Sequence, residues 1–354
     1  MNQFRMTPDD QAISLLSKAF RVLMNEGPVA LGRKAVRMLV LLVGRLSSPR
    51  YLIKRSNVTR QLVANWEWRR KVKEINTAGA DDYNHSWAVA RQALYAKWGH
   101  LPCPHSEVKR LQTLHNMYHG ERIFVMGNGP SLNKTPLEKL EGEYTFGVNR
   151  IYLLFDRIRW RPTFYTTLDW RVTPDNLGEI NALRGMTFFF PYRFWRLLRR
   201  GDDVYWYWSR HGFHRSGRSV EDRFSYDITK GICPGGTITV TAIQIAYYLG
   251  FDPIYLIGVD TDYKIPASVR QSGPDAFGDG VGLYLESTQD DDVDHFDPRY
   301  FGKGRKWHNP NVPEMIRGHE NCKAAIEAQG RHIYNATVGG KLEVFERVDF
   351  DTLF

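Results

Sequence analysis

The chain has 354 residues, 42% hydrophobic and 25% charged, with 30 Gly, 17 Pro and a formal net charge of +9. That length suits two domains, or one large α/β domain with an appendage, and the composition excludes a disordered or collagen-like protein. Cys103, Cys233 and Cys322 stand far apart, which excludes a Cys-x-x-Cys knuckle and a disulfide framework and points to a reducing compartment.

The charge is unevenly placed. Residues 1–60 hold eleven Lys and Arg against three Asp and Glu, leaving 37 basic and 36 acidic groups in the other 294. A nucleic-acid enzyme would carry its basic stripe on the catalytic body, so no nucleic-acid partner is expected. Asp9 and Asp10 sit where a signal peptide would build its apolar run. Met38–Val43, bounded by Arg37 and Arg45, is far short of the roughly 20 apolar residues that span a bilayer. Leu31, Ala35, Met38, Leu39, Leu42 and Leu46 recur at helical spacing among Arg33, Lys34, Arg37 and Arg45. Such a basic amphipathic helix either lies on an anionic membrane or packs on its own catalytic domain.

Residues 10–118 read as helical, with 61–119 a helical extension whose segment Leu101–His105 is a linker. From residue 120 the pattern changes. Strands are expected at Arg122–Met126, Thr145–Val148, Thr163–Thr167, Met186–Phe190, Val204–Trp208 and Ile254–Gly258. Thr135–Glu138 has the spacing of a capping box, with Pro136 at the first helical position. After Gly235-Gly236, Thr237–Leu249 is an apolar helix that stops at Gly250, and a last long helix is expected near 312–329. Residues 264–294 lack periodicity and read as a lid loop. The alternation predicts an α/β fold, a doubly wound, mostly parallel, Rossmann-like sheet with a helical N-terminal extension.

Candidate chemistry gathers after the predicted strands, where doubly wound sheets bind ligands. Gly127-Asn128-Gly129-Pro130-Ser131 lacks both the Lys of a phosphate-binding Walker loop and the third glycine of the dinucleotide fingerprint. It remains a tight turn whose N–H groups either approach a phosphate or ribose or serve structure alone. Asn149-Arg150 follows the second strand. Asp260-Thr-Asp262 has the Asp-x-Asp form that holds a divalent metal in many glycosyltransferases; Asp260 also suits a hydroxyl of sugar or ribose. His295 and His308 precede the last helix, either as a general base for an acceptor hydroxyl or as structural histidines. Asp290–Asp294 reads as a solvated acidic run. Arg215, Arg218 and Arg223, with Trp206, Trp208 and His211, suit either an anionic ligand or a surface hairpin.

Phe124–Leu132, Gly147–Asn149 and the block Gly235–Asp262 resemble the bacterial sialyltransferases that use CMP-sialic acid, and equally the related 6-hydroxymethylpterin pyrophosphokinase-like family of polysaccharide biosynthesis. The resemblance spans about 120–340. It implies a GT-A-variant-like, Rossmann-like domain at 120–354 and a metal-independent, inverting transfer from a CMP-sugar, with no resident cofactor. By position, Asn128 and Asn149 would contact the nucleotide and its phosphate, and Gly235, Gly236 and Thr237 the cytidine or ribose. Tyr263, and less directly Tyr284 or Tyr300, would hydrogen-bond the departing phosphate beside Asp262. His308 matches the base and His295 is the alternative; Asp260 facing the anomeric carbon would instead open a covalent, retaining route. The implied acceptor is a glycan or lipid-linked glycan, met by a cytoplasmic enzyme peripheral to the inner face of the membrane. The other function carried from the resemblance is an ATP- and Mg-dependent pterin-type pyrophosphokinase. A non-catalytic nucleotide-binding module is a third reading.

Overall fold

The computed structural model describes residues 103–169, 172–195, 197–210, 223–273 and 284–354. The basic segment 1–60, the helical reading of residues up to 102, and Arg215, Arg218 and His211 lie outside the described residues.

Eight strands form one sheet: β1 (Ile123–Met126), β2 (Thr145–Val148), β3 (Phe164–Thr166), β4 (Thr187–Pro191), β5 (Val204–Tyr207), β6 (Ile254–Ile257), β10 (Ile333–Asn335) and β11 (Glu346–Arg347). Their order is β11-β10-β6-β1-β2-β3-β4-β5, and every pairing is parallel. A parallel sheet is covered on both faces, so its strands are nearly continuous apolar runs. Alternate residues then divide between two cores. Ile123, Val125, Phe146, Val148, Phe164 and Phe189 face one. Phe124, Met126, Tyr165, Phe188, Phe190 and Trp206 face the other. On the first face Phe146, Phe164 and Phe189 pack in tilted pairs across three strands at 5.7–6.1 Å between ring centroids. Each such ring withdrawn from water is worth about 1.5–3 kcal/mol.

Among the described residues the α-helices are α1 (His105–Gln112), α2 (Val172–Asp175), α3 (Leu177–Ala182), α4 (Ile238–Leu249) and α5 (Val312–Glu327). Eleven of the twelve residues of α4 are buried. Its apolar circumference is explained by contact with β1, β2 and β6 together with α5. Gly250, at φ +104° behind its last turn, returns its N–H to Ala246 and Tyr247.

Three expectations change. The expected linker holds the start of a helix, since α1 begins at His105 behind Pro104. Thr135 caps nothing: its hydroxyl donates to Ser131 O (3.0 Å), and Leu137–Leu140 is only one 3₁₀ turn. The stretch 264–294 is partly regular. β7 (Arg270–Gly273), β8 (Tyr284–Glu286) and β9 (Lys306–His308) form a small antiparallel sheet in the order β7-β8-β9.

A candidate site at the strand-order reversal

From β1 the sheet grows outward through β2 to β5, and β6 then returns to the opposite side of β1. A doubly wound sheet opens a crevice at such a reversal, at the carboxyl ends of the two strands. Here those ends are Gly127–Ser131 after β1 and Gly258–Tyr263 after β6, with Asn149 after β2 alongside. Three separate sequence candidates therefore meet at one edge of the sheet.

The glycine loop is shaped first by its neighbour. Gly127 N donates to Ile257 O and Gly129 N to Gly258 O, both at 2.8 Å. A Cβ on Gly127 would lie 2.2 Å from Gly258 O, and one on Gly129 would lie 1.8 Å from Asp260 Oδ2. The two glycines admit this contact, whatever else they admit. Asn128 is buried; its Nδ2 donates to Val148 O (3.1 Å), while its Oδ1 is buried without a hydrogen-bond partner. An orphaned amide oxygen costs about 1–3 kcal/mol, which a donor on a ligand or water would relieve.

Asp260 and Asp262 are held by different partners. Asp260 accepts from Ser131, through Oγ at 2.7 Å and the backbone N–H at 3.3 Å, and burial raises its pKa above the usual carboxylate range. Asp262 pairs with Lys341 Nζ at 2.7 Å, which holds its pKa low. Thr261 between them has φ +53°, an uncommon conformation for a β-branched residue, kept where the surrounding structure over-determines the backbone.

Beside them lies a second set of groups. Burial, then the carboxylates of Asp294, Asp260 and Asp292, pushes the Tyr263 hydroxyl up to about 12, so it stays a hydrogen-bond donor at neutral pH. The acidic run is solvated only in part: Asp290 and Val293 are exposed, whereas Asp292 and Asp294 turn inward. Asp294 is buried, accepts from Lys264 N at 2.7 Å and has a raised pKa because of that burial. Asp292 Oδ1 accepts from Asp294 N at 2.9 Å, and its Oδ2 accepts from Phe301 N at 3.0 Å and from His295 Nδ1 at 2.8 Å. An Nδ1–H directed at a carboxylate leaves Nε2 of the neutral ring as the lone-pair nitrogen. The His295 ring stacks on Tyr300, with centroids 3.7 Å apart and planes at 5°. This segment closes over the glycine loop, because Phe296 N donates to Asn128 O (2.9 Å) and Asn133 Nδ2 to Phe296 O (2.9 Å).

The remaining sequence candidates fall elsewhere. His308 is half-buried on β9, opposite Tyr284. Trp206 is buried in β5. Gly235 and Gly236 have φ +56° and +79° and abut α5: a Cβ on Gly236 would lie 2.9 Å from Glu314 Cγ, and one on Gly318 would lie 2.0 Å from Gly235 O. Thr237 begins α4 without capping it and instead starts a chain, Thr237 Oγ1 to Thr239 Oγ1 (3.2 Å) to His319 Nε2 (3.1 Å). His319 Nδ1 meets Met315 O at 2.8 Å, and burial lowers this histidine to about 4. Neither the Asp292–His295 pair nor the buried His319 is singled out by the sequence. The first has a signal, a carboxylate three residues before a histidine; the second has none outside its burial.

Among the described residues no helix is long and apolar enough to cross a membrane. No curated protein matches the chain. Two solved structures match the chain at low similarity. A mammalian sialyltransferase in complex with Gal-beta-1-3GalNAc-ortho-nitrophenol is 10% identical over 75% of this chain and 89% of that one, with a TM-score of 0.32. The sialyltransferase CstII from Campylobacter jejuni, in complex with cytidine-5'-monophosphate, is 13% identical over 65% and 85%, with a TM-score of 0.30. Residues 104–266, which carry β1–β6, the glycine loop and Asp260–Tyr263, are similar to the family described as 6-hydroxymethylpterin diphosphokinase MptE-like.

Proposed function

We propose that the protein is a glycosyltransferase that moves a sialic acid-like or other ulosonic acid from a CMP-activated donor to a glycan or lipid-linked glycan acceptor of a bacterial surface polysaccharide. The observation that carries the reading is the Asp292–His295 pair, 2.8 Å apart, in the segment that covers the glycine loop at the strand-order reversal. An oriented neutral imidazole is the base that an acceptor hydroxyl requires. His295 is therefore placed before His308 as the base, with Asp292 fixing the ring as the third member of a triad fixes its histidine.

In this scheme the acceptor hydroxyl gives its proton to His295 Nε2 as its oxygen bonds to the anomeric carbon. The bond from that carbon to the CMP phosphate breaks, and the phosphate oxygen takes the electron pair. The Tyr263 hydroxyl, kept protonated by its surroundings, donates a hydrogen bond to that oxygen. Asn128 Oδ1 accepts from the donor nucleotide. Asp260, held by Ser131, keeps the glycine loop against the loop after β6. The basic segment 1–60 brings the enzyme to an anionic membrane surface, each Lys or Arg near it contributing about 1 kcal/mol.

His295→Ala tests the reading: CMP affinity stays, and transfer falls by roughly 100-fold or more. Full turnover in that variant would overturn the assignment. The similarity of residues 104–266 supports a second reading, an ATP- and Mg-dependent pterin-type diphosphokinase in which Asp260 and Asp262 turn to a metal. ATP binding that requires Mg, with CMP ignored, would favour it.

A further inference from the structure

Asn149 is the residue after β2 that its position in the sequence assigns to the nucleotide, yet three of its polar groups are spent on the protein. Its N–H donates to Thr166 O (3.0 Å), its carbonyl accepts from the Tyr165 hydroxyl (2.6 Å) and its Oδ1 accepts from Thr167 Oγ1 (3.3 Å). The next residue has donors to spare. Arg150 is only 6% exposed, and among the described residues no carboxylate pairs with it. Asp297, on the segment that Arg150 touches, is taken by Arg299 at 2.6 and 2.9 Å. Arg150 Nη1 donates to the carbonyls of Arg299 and Tyr300, and its Nε to the Tyr152 hydroxyl (3.3 Å). Its Nη2, with two further N–H groups, has no partner among the described residues and is not sealed from solvent. Two carbonyls, a phenol and the rings of Tyr152 and Tyr300 (6.0 and 5.9 Å from the guanidinium carbon) offset only part of the cost of withdrawing a cation from water. A buried guanidinium that keeps two donors open suits an anion.

That anion belongs on the sugar side of the site. The Tyr300 ring beside Arg150 is the ring on which His295 stacks. The guanidinium and imidazole centres are therefore no farther apart than 5.9 Å and 3.7 Å laid end to end. Asn128 and Tyr263, which the proposed reaction assigns to the nucleotide and the departing phosphate, instead enter from the loops after β1 and β6. In an ulosonic acid the carboxylate is bonded to the anomeric carbon, the atom attacked by the hydroxyl that His295 deprotonates. An attacking oxygen, that carbon and its carboxylate bridge such a span.

We infer that Arg150 binds the carboxylate of the donor sugar through Nη2, and so selects an acidic donor. The inference rests on the proposed CMP-ulosonic donor and on His295 as the base; it adds the group that recognises the acid.

The experiment titrates the full chain calorimetrically, without acceptor, with CMP, CMP-sialic acid and the methyl ester of that donor. In the parent the acid should bind roughly 10- to 100-fold more tightly than the ester, the worth of charge-assisted hydrogen bonds. In Arg150→Gln that ratio should fall to about two or less, with CMP affinity within about twofold of the parent. Because Arg150 also holds the carbonyls of Arg299 and Tyr300, Arg150→Lys is the second variant: it keeps a cation, and should bind CMP as the parent does and retain part of the ratio. A ratio unchanged in Arg150→Gln would overturn the inference. Loss of CMP affinity in both variants would overturn it too, assigning Arg150 to the phosphate or to the fold. A parent that binds CMP but does not distinguish acid from ester overturns the inference alone and leaves the CMP donor standing. A parent that binds no CMP overturns the proposed donor and the inference with it.

Discussion

Replacing His319 by Gln removes a buried titratable group without emptying its site. The ring is buried between α4 and α5, between Thr239 Oγ1 at 3.1 Å and Met315 O at 2.8 Å, and burial lowers its pKa from 6.5 to about 4. The unfolded chain takes up this proton near 6.5, whereas the folded chain resists it until about 4. Protonation therefore favours unfolding throughout that window, so the contribution is complete above 6.5 and is lost as the pH falls toward 4. At 1.36 kcal/mol per pH unit the whole gap is worth about 3 kcal/mol, of which about 2 kcal/mol falls between pH 7 and pH 5. Asp260 and Asp294, whose pKa values are raised by burial, act with the opposite sign, but they are common to both proteins and cancel in the comparison. Urea unfolding of the parent and His319→Gln at pH 7 and pH 5 measures the difference. The parent should lose about 2 kcal/mol more than the variant on acidification. Equal losses would refute the account of a buried, neutral histidine.

The glycine loop gives a paired prediction. Gly127→Ala must move the backbone carbonyl of Gly258, whereas Gly129→Ala chiefly displaces the Asp260 carboxylate, so the first should cost more unfolding free energy in urea titration, on the order of 1–3 kcal/mol. Gly129→Ala should also break the Ser131–Asp260 bond, which would weaken nucleotide binding measured by calorimetry. Asp292→Asn keeps the size of the side chain but removes the charge that orients His295, and should lower kcat roughly 100-fold with little change in CMP affinity. Deleting residues 1–60 should abolish sedimentation with anionic vesicles before it affects nucleotide binding; equal loss of both would mean that the segment serves the catalytic domain.

Much of the fold is legible in the sequence, because strands buried on both faces leave apolar runs. Ile123–Met126, Thr145–Val148 and Ile254–Ile257 are such runs, and α4 is apolar all round for the same reason. The strands that escape notice have little pattern to show. β10 is three residues, β11 two, and β7–β9 lie in polar sequence whose partners are distant in the chain. Thr135 has the spacing of a cap, but its hydroxyl is claimed by the turn before it. The site divides in the same manner. Gly127, Gly129 and Asp260 are visible as types, yet the reason for the glycines, the approach of the β6 loop, is tertiary. Asp262 looks like a partner of Asp260 and is drawn away by Lys341, 79 positions later. The Asp292–His295 pair has a sequence signal, since the two residues are three apart, but an acidic run reads as solvated until its burial is known.

Calorimetric titration of the full chain with CMP, CDP, UDP, GDP and ATP, each with Mg and with EDTA, tests the central claim most directly. The account predicts that CMP binds, and that EDTA leaves its affinity unchanged. Binding of ATP alone, and only with Mg, would contradict it.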